Sequence, residues 1–179
     1  MSRESLVFAG EVAPQAAFGL SPRARIAFGA LGVLAFGLAA LLPALAIGYW
    51  LLGSQHLADS AGMKIIAIAT ALLHLLPMSW GLLRLRVCLA QFAAGRPFAA
   101  EGIAGLRDFA LGTGVSALAK PVAGMLFMLA LGWNSGPKQI VIEISSDVMI
   151  LALFAGVVAS LAWAMEKAAA LAEENSQFI

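Results

Sequence analysis

A single cysteine, Cys88, in 179 residues leaves no partner for an internal disulfide and no second thiol for a metal site. The two histidines, His56 and His74, lie far apart and lack a spacing such as His-x3-His. No metal or cofactor is therefore expected. Charge is scarce as well: Asp, Glu, Lys and Arg make up 12% of the chain, against about a quarter in a soluble domain. The formal net charge of +1 provides no global attraction to nucleic acid or another polyanion. A Gly-rich phosphate loop, a Gly-x-Ser-x-Gly elbow and a His-Glu-x-x-His helix are all missing. Without any nucleophile–base or metal constellation, the chain is expected to be non-enzymatic.

Apolar residues fill the space that charge leaves. They form 61% of the chain, and the mean hydropathy is +0.92. Four runs dominate, with spans predicted at about 26–52, 65–83, 109–133 and 148–165. A bilayer-spanning helix needs about 20 mostly apolar residues, so each run is long enough, the fourth only just. None shows the polar face of a surface helix at a 3.6 period. Lipid supplies no hydrogen bonds to the backbone, so runs of this length must be helical. All four tryptophans, Trp50, Trp80, Trp133 and Trp163, fall within a turn of the far end of a predicted span, where amphipathic rings meet headgroups. The fold class expected is all-α: one integral membrane domain, a bundle of four transmembrane helices.

The basic residues orient it. Arg3, Arg23, Arg25, Arg84, Arg86, Arg96, Arg107 and Lys167 lie on one side of the predicted spans, and only Lys64 and Lys138 on the other. That bias predicts a multi-pass protein of the inner membrane with both termini cytoplasmic, a cytoplasmic loop at 84–108 and a cytoplasmic tail at 166–179. Residues 1–22 read as a cytoplasmic lead-in with a short interfacial helix from Leu6 to Phe18. Ser21 and Pro22 have the chemistry of an N-cap and first helical position. The second span is expected to continue past the membrane through Leu85, Leu89 and Phe92 and to stop at Gly95-Arg96-Pro97. Phe98 to Phe109 then restarts as an interfacial helix before the third span. The β-branched stretch from Gln139 to Ser145 predicts an extended segment. Ser145-Ser146-Asp147 should cap the fourth helix, and the tail from Ala164 to Asn175 is strongly helix-favouring.

Two stretches carry a resemblance. The first is Phe92-Ala93-Ala94-Gly95-Arg96-Pro97-Phe98, followed by Glu101 and Leu106-Arg107. The second is Ile142-Glu143-Ile144-Ser145-Ser146-Asp147, then Ala162-Trp163-Ala164-Met165, Ala170-Leu171-Ala172-Glu173-Glu174-Asn175 and Phe178-Ile179. In these blocks the chain resembles a bacterial family of four-span membrane proteins known as domain of unknown function 2975. The resemblance implies a four-span fold with a short acidic tail. It also implies membrane-linked regulation, since members are often encoded beside a small helix-turn-helix regulator. It transfers no activity and no catalytic residue.

Several residues stand apart. Lys120 sits almost at the midpoint of the third run, where a lysine costs about 2.5–3.5 kcal/mol, and Pro121 beside it frees the carbonyl of Ala117. One reading is a site for an anionic headgroup or a partner's carboxylate; the other is a tilted helix whose lysine snorkels. His74 lies at the centre of the second run at a depth it can share with Lys120. It is either one half of a proton-responsive pair or a buried imidazole bonded to a carbonyl or serine on a neighbouring helix. Small residues recur every four positions at Ala152, Gly156, Ser160 and Ala164, at Ala40, Ala44 and Gly48, and at Gly112 with Ser116. Such ridges serve internal packing, and one of them a homodimer or partner face. Arg96, Glu173 and Glu174 are candidates for cytoplasmic docking, and the arginine-rich loop for contact with anionic lipids. Cys88 reads as an inert thiol or a palmitoylation site.

The function expected is that of a non-enzymatic membrane protein acting through protein–protein contact. It would be an accessory subunit or a membrane-side regulatory or sensing partner. Its partners would be membrane lipids, a second copy or another membrane protein, and a cytoplasmic regulator, with no direct role for nucleic acid. The alternative is a small transporter or channel component with His74 and Lys120 along a polar path.

Overall fold

The computed structural model of the protein describes residues 21–53, 61–132 and 145–176. The expected lead-in helix from Leu6 to Phe18, the extended stretch at 139–144, and Trp133 lie outside these residues. Four α-helices follow one another: α1 Pro22–Gly48, α2 Ala61–Ala93, α3 Ala100–Gly132 and α4 Ser146–Ser176. All four are long and apolar enough to cross a membrane, which makes this a multi-pass membrane protein. Ile26, Val33, Leu118 and Leu153 are each about seven-tenths exposed, a surface suited to lipid and not to water.

Local chemistry sets the helix ends. Ser21 caps α1, its hydroxyl accepting from the Ala24 N–H at 3.3 Å, and Pro22 opens the first turn where its missing N–H goes unneeded. A single π-helical turn, Tyr49–Gly53, continues α1 to the end of its apolar run. At the other hairpin, α2 stops because Gly95 takes φ = 74°. The Gly95 N–H then donates to Phe92 O and the Arg96 N–H to Gln91 O, which together satisfy the last carbonyls of α2 in a Schellman arrangement. A side chain at this φ is strained, so Gly95→Ala is expected to destabilise the protein by about 1 kcal/mol, and Gly95→Asn by less. Thermal unfolding of the two variants in one detergent checks the order.

Helices adjacent in the chain pack antiparallel: α1 on α2, α2 on α3, α3 on α4. The α2–α3 hairpin is the tightest pair. Among the described residues the backbones of α1 and α4 do not approach each other, so the bundle is open along its fourth side. Ala35 and Ala39 of α1, Leu82 and Cys88 of α2, Leu106, Phe109 and Ala110 of α3, and Val158 and Ala162 of α4 nevertheless share one core. Each outer helix reaches that core through a narrow stripe: Gly32, Ala35 and Ala39 on α1, Val148, Ala155, Val158 and Ala162 on α4.

The expected interfacial helix from Phe98 to Phe109 does not form a separate element. From Ala100 these residues are the first turns of α3, unbroken through Phe109. Gly102 and Gly105 bring them directly against Gln91 and Cys88 of α2. The apolar side of Ile103 and Leu106, expected to meet the headgroup layer, is buried inside the bundle instead. The tail is helical as expected, because α4 runs on without a break to Ser176.

Candidate functional site

Three groups of residues stand out on this scaffold. The first gathers where α4 begins. Lys120 of α3 donates from Nζ to Asp147 Oδ2 in the first turn of α4, and Ser145 Oγ donates to Asp147 Oδ1. Lys120 is central in α3, yet it stands level with the end of α4, so it meets a carboxylate and a helix N-terminus. The backbone N–H groups of Val148 and Met149 point back at Ser145 O. Ser145 thus takes the capping position, with its hydroxyl turned to Asp147. His74 belongs to the same level. Its Nδ1 lies 3.5 Å from the carbonyl of Thr70 in its own helix, not from a group on a neighbour, and it lies within electrostatic reach of Lys120.

The Lys120–Asp147 pair is half exposed at both ends, so it works as a tie between α3 and α4 more than as a buried charge. Lys120→Asp and Asp147→Lys should each lower the thermal midpoint, and the exchanged double variant should recover most of the loss. A double-mutant cycle measures the coupling, and strictly additive losses would show that the tie carries none.

The second group lies on the α2–α3 hairpin. Arg84 Nε donates to Asp108 Oδ2 at 2.7 Å, and one heptad nearer the hairpin Gln91 Nε2 donates to Glu101 Oε2 at 2.9 Å. These two rungs tie the same faces of the two helices. Beside them Arg86 crosses to α1, with its guanidinium 5.1 Å from the centre of the Phe36 ring, a cation–π distance. Arg107 points outward from α3 and is exposed. Cys88 is buried in this same hairpin, 1% exposed, and packs close to Gly105. A thiol so placed is closed to acylation, so its role is packing.

The third group is the small-residue ridge of α4. Ala152, Gly156, Ser160 and Ala164 are all exposed, and a Cβ at Gly156 would meet nothing within 4 Å. Ser160 Oγ donates to the Gly156 carbonyl at 2.9 Å, so even the one polar residue of the ridge is satisfied within its own helix. On α1, Ala40 and Ala44 are likewise exposed and Gly48 half-buried, whereas on α3 both Gly112 and Ser116 are buried, Gly112 directly against Pro77 and Gly81 of α2. Only the α3 ridge is spent on internal packing.

The structure brings Lys120 and His74 to one level and adds Asp147, which hydropathy reads only as a cap. Pro121 follows Lys120 inside α3 without ending it. Arg96 is exposed at the tip of the α2–α3 hairpin, and Glu173 and Glu174 are exposed near the end of α4. Among the described residues no three His, Cys, Asp or Glu side chains come together as metal ligands would. No protein-family model, curated protein or solved structure matches the chain.

Proposed function

We propose that this is a non-enzymatic membrane protein that acts by helix–helix contact, with the outward face of α4 as its contact surface. The observation that carries this is the placement of Ala152, Gly156, Ser160 and Ala164. This ridge is the kind that lets two helix backbones approach closely in lipid, and here it faces away from the protein's own core. The occupant is either a second copy or another membrane protein, for which this chain would be an accessory, regulatory or sensing subunit. The asymmetry of arginine and lysine supports a bacterial inner-membrane location with both termini cytoplasmic. In that orientation Arg96, Glu173 and Glu174 sit on the cytoplasmic side, where a soluble regulator would dock. The resemblance to the four-span family agrees with this reading.

A transporter role for His74 and Lys120 is less well supported, because Lys120 is paired to Asp147. Mass determination on the full chain extracted in a mild detergent tests the proposal. A complex of fixed stoichiometry is expected, and a monodisperse monomer from native membranes would contradict it.

A further inference from the structure

The apolar lengths of the four helices do not line up. Arg86 lies over Phe36 of α1, and a Cβ on Gly32 would stand 3.8 Å from Arg86 Cγ. The charge-free run of α1, however, begins at Ile26. The Arg86 stem therefore lies about six residues, or about 9 Å, inside that run and its guanidinium about ten residues, or about 15 Å, so the side chain points away from the near interface and does not snorkel toward it. Asp108, tied to Arg84, fixes α3 at the same level, and Arg107 is its neighbour. On α4 the pairing of Phe109 with Phe154 and of Gly114 with Ala155 leaves the exposed Leu161 and Trp163 further toward the α4 C-terminus. Both outer helices thus carry lipid-type surface past a belt that holds three arginines and one aspartate. Asp108 neutralises Arg84. Arg86 has only the Phe36 ring, and Arg107 no hydrogen bond or ion pair, among the described residues.

Two positive charges without carboxylates, set within the apolar length of the flanking helices, need an anion that lipid itself can bring. We propose that Arg86 and Arg107 seat the phosphates of anionic phospholipids from the cytoplasmic leaflet, drawn inward to the level of the Arg84–Asp108 rung. A guanidinium offers paired N–H donors that match phosphate oxygens. Phe36 holds the Arg86 plane in place, and Asp108 leaves Arg84, 41% exposed in its side chain, as a further positive neighbour. The exposed Leu83 and Leu111 lie next to this belt on the side away from the hairpin tip, where acyl chains would run. The leaflet named rests on the orientation proposed above. A reporter fusion on each terminus tests that orientation separately, and the binding measured in detergent does not depend on it.

The test uses the full chain in detergent, challenged with phosphatidylglycerol, phosphatidylcholine or inorganic phosphate, with retained lipid counted by mass spectrometry and the thermal midpoint followed. Phosphatidylglycerol should be retained and raise the midpoint, phosphatidylcholine should do neither, and Arg86→Gln with Arg107→Gln should lower the preference about tenfold. Arg96→Gln, at the hairpin tip outside the belt, should leave it unchanged. If the double variant does not fold, Arg107→Gln alone carries the test with about a threefold loss. Equal retention of the two lipids, an unchanged preference in the variants, or the same midpoint rise with inorganic phosphate would each overturn the assignment.

Discussion

Gly112→Val is expected to destabilise the protein by about 3 kcal/mol or more. A Cβ at Gly112 would lie 2.5 Å from the carbonyl oxygen of Pro77 and 2.9 Å from the Cα of Gly81. Both obstacles are backbone, so no side-chain rotation relieves them. The same contact repeats two turns away, where a Cβ at Gly105 would stand 2.6 Å from Arg84 O. Between these points the two helices run with their backbones touching, and weak Cα–H···O contacts add to the dispersion gained. In lipid, where burial of apolar surface between helices gives no driving force, such packing carries much of the association. Valine would force α2 and α3 apart and loosen the shared core around Phe109, Leu106 and Leu82. Gly124→Ala, where nothing lies within 4 Å, is the control and should be neutral or slightly stabilising through helix propensity. Unfolding midpoints of the two variants in the same detergent check the difference; similar midpoints would mean that the hairpin is far looser than the contacts imply.

Gly156→Phe should do the opposite: leave the fold intact and abolish association. The exposed backbone at Gly156 has room for any side chain within the monomer. A phenylalanine there is compatible with lipid, so the unfolding midpoint of the isolated chain should hardly move. A partner helix seated on Ala152, Gly156, Ser160 and Ala164 would be pushed off, with a loss of affinity of about tenfold or more. Dissociation measured in bilayers, set beside the thermal midpoint, separates the two effects. A large fall in stability without any change in association would place the ridge inside the fold after all.

Much of the architecture is legible in hydropathy. The four apolar runs mark four helices, Ser21 and Pro22 mark the start of α1, and Gly95-Arg96-Pro97 marks the end of α2. These signals are local, since a cap, a left-handed glycine and a run of leucines each act within a few residues. Long-range pairing is what a linear pattern leaves open. Asp108 and Asp147 each fall one residue outside a hydropathy boundary, at 109 and 148, and so read as the polar side of an interfacial helix and as a helix cap. The helices extend through both, and each carboxylate meets a base on the neighbouring helix, Arg84 and Lys120. Lys120 looks isolated at mid-run only while the start of α4 is assumed level with the end of α3. The small-residue ridges show the same limit. Spacing makes the ridges on α1, α3 and α4 equivalent, and only the packing of α3 on α2 separates the buried one from the exposed ones. The segment from Phe98 to Phe109 has an amphipathic pattern that fits an interfacial helix, but a groove on α2 accepts its glycines.

Site-specific photo-crosslinking in native membranes is the most direct test of action by contact through α4. A photoreactive residue at Ser160 should give one discrete protein adduct, whether a second copy or another membrane protein, while the same residue at Leu118, exposed on α3, should give none. No adduct at Ser160, or the same adducts from both positions, would contradict a dedicated contact face on α4.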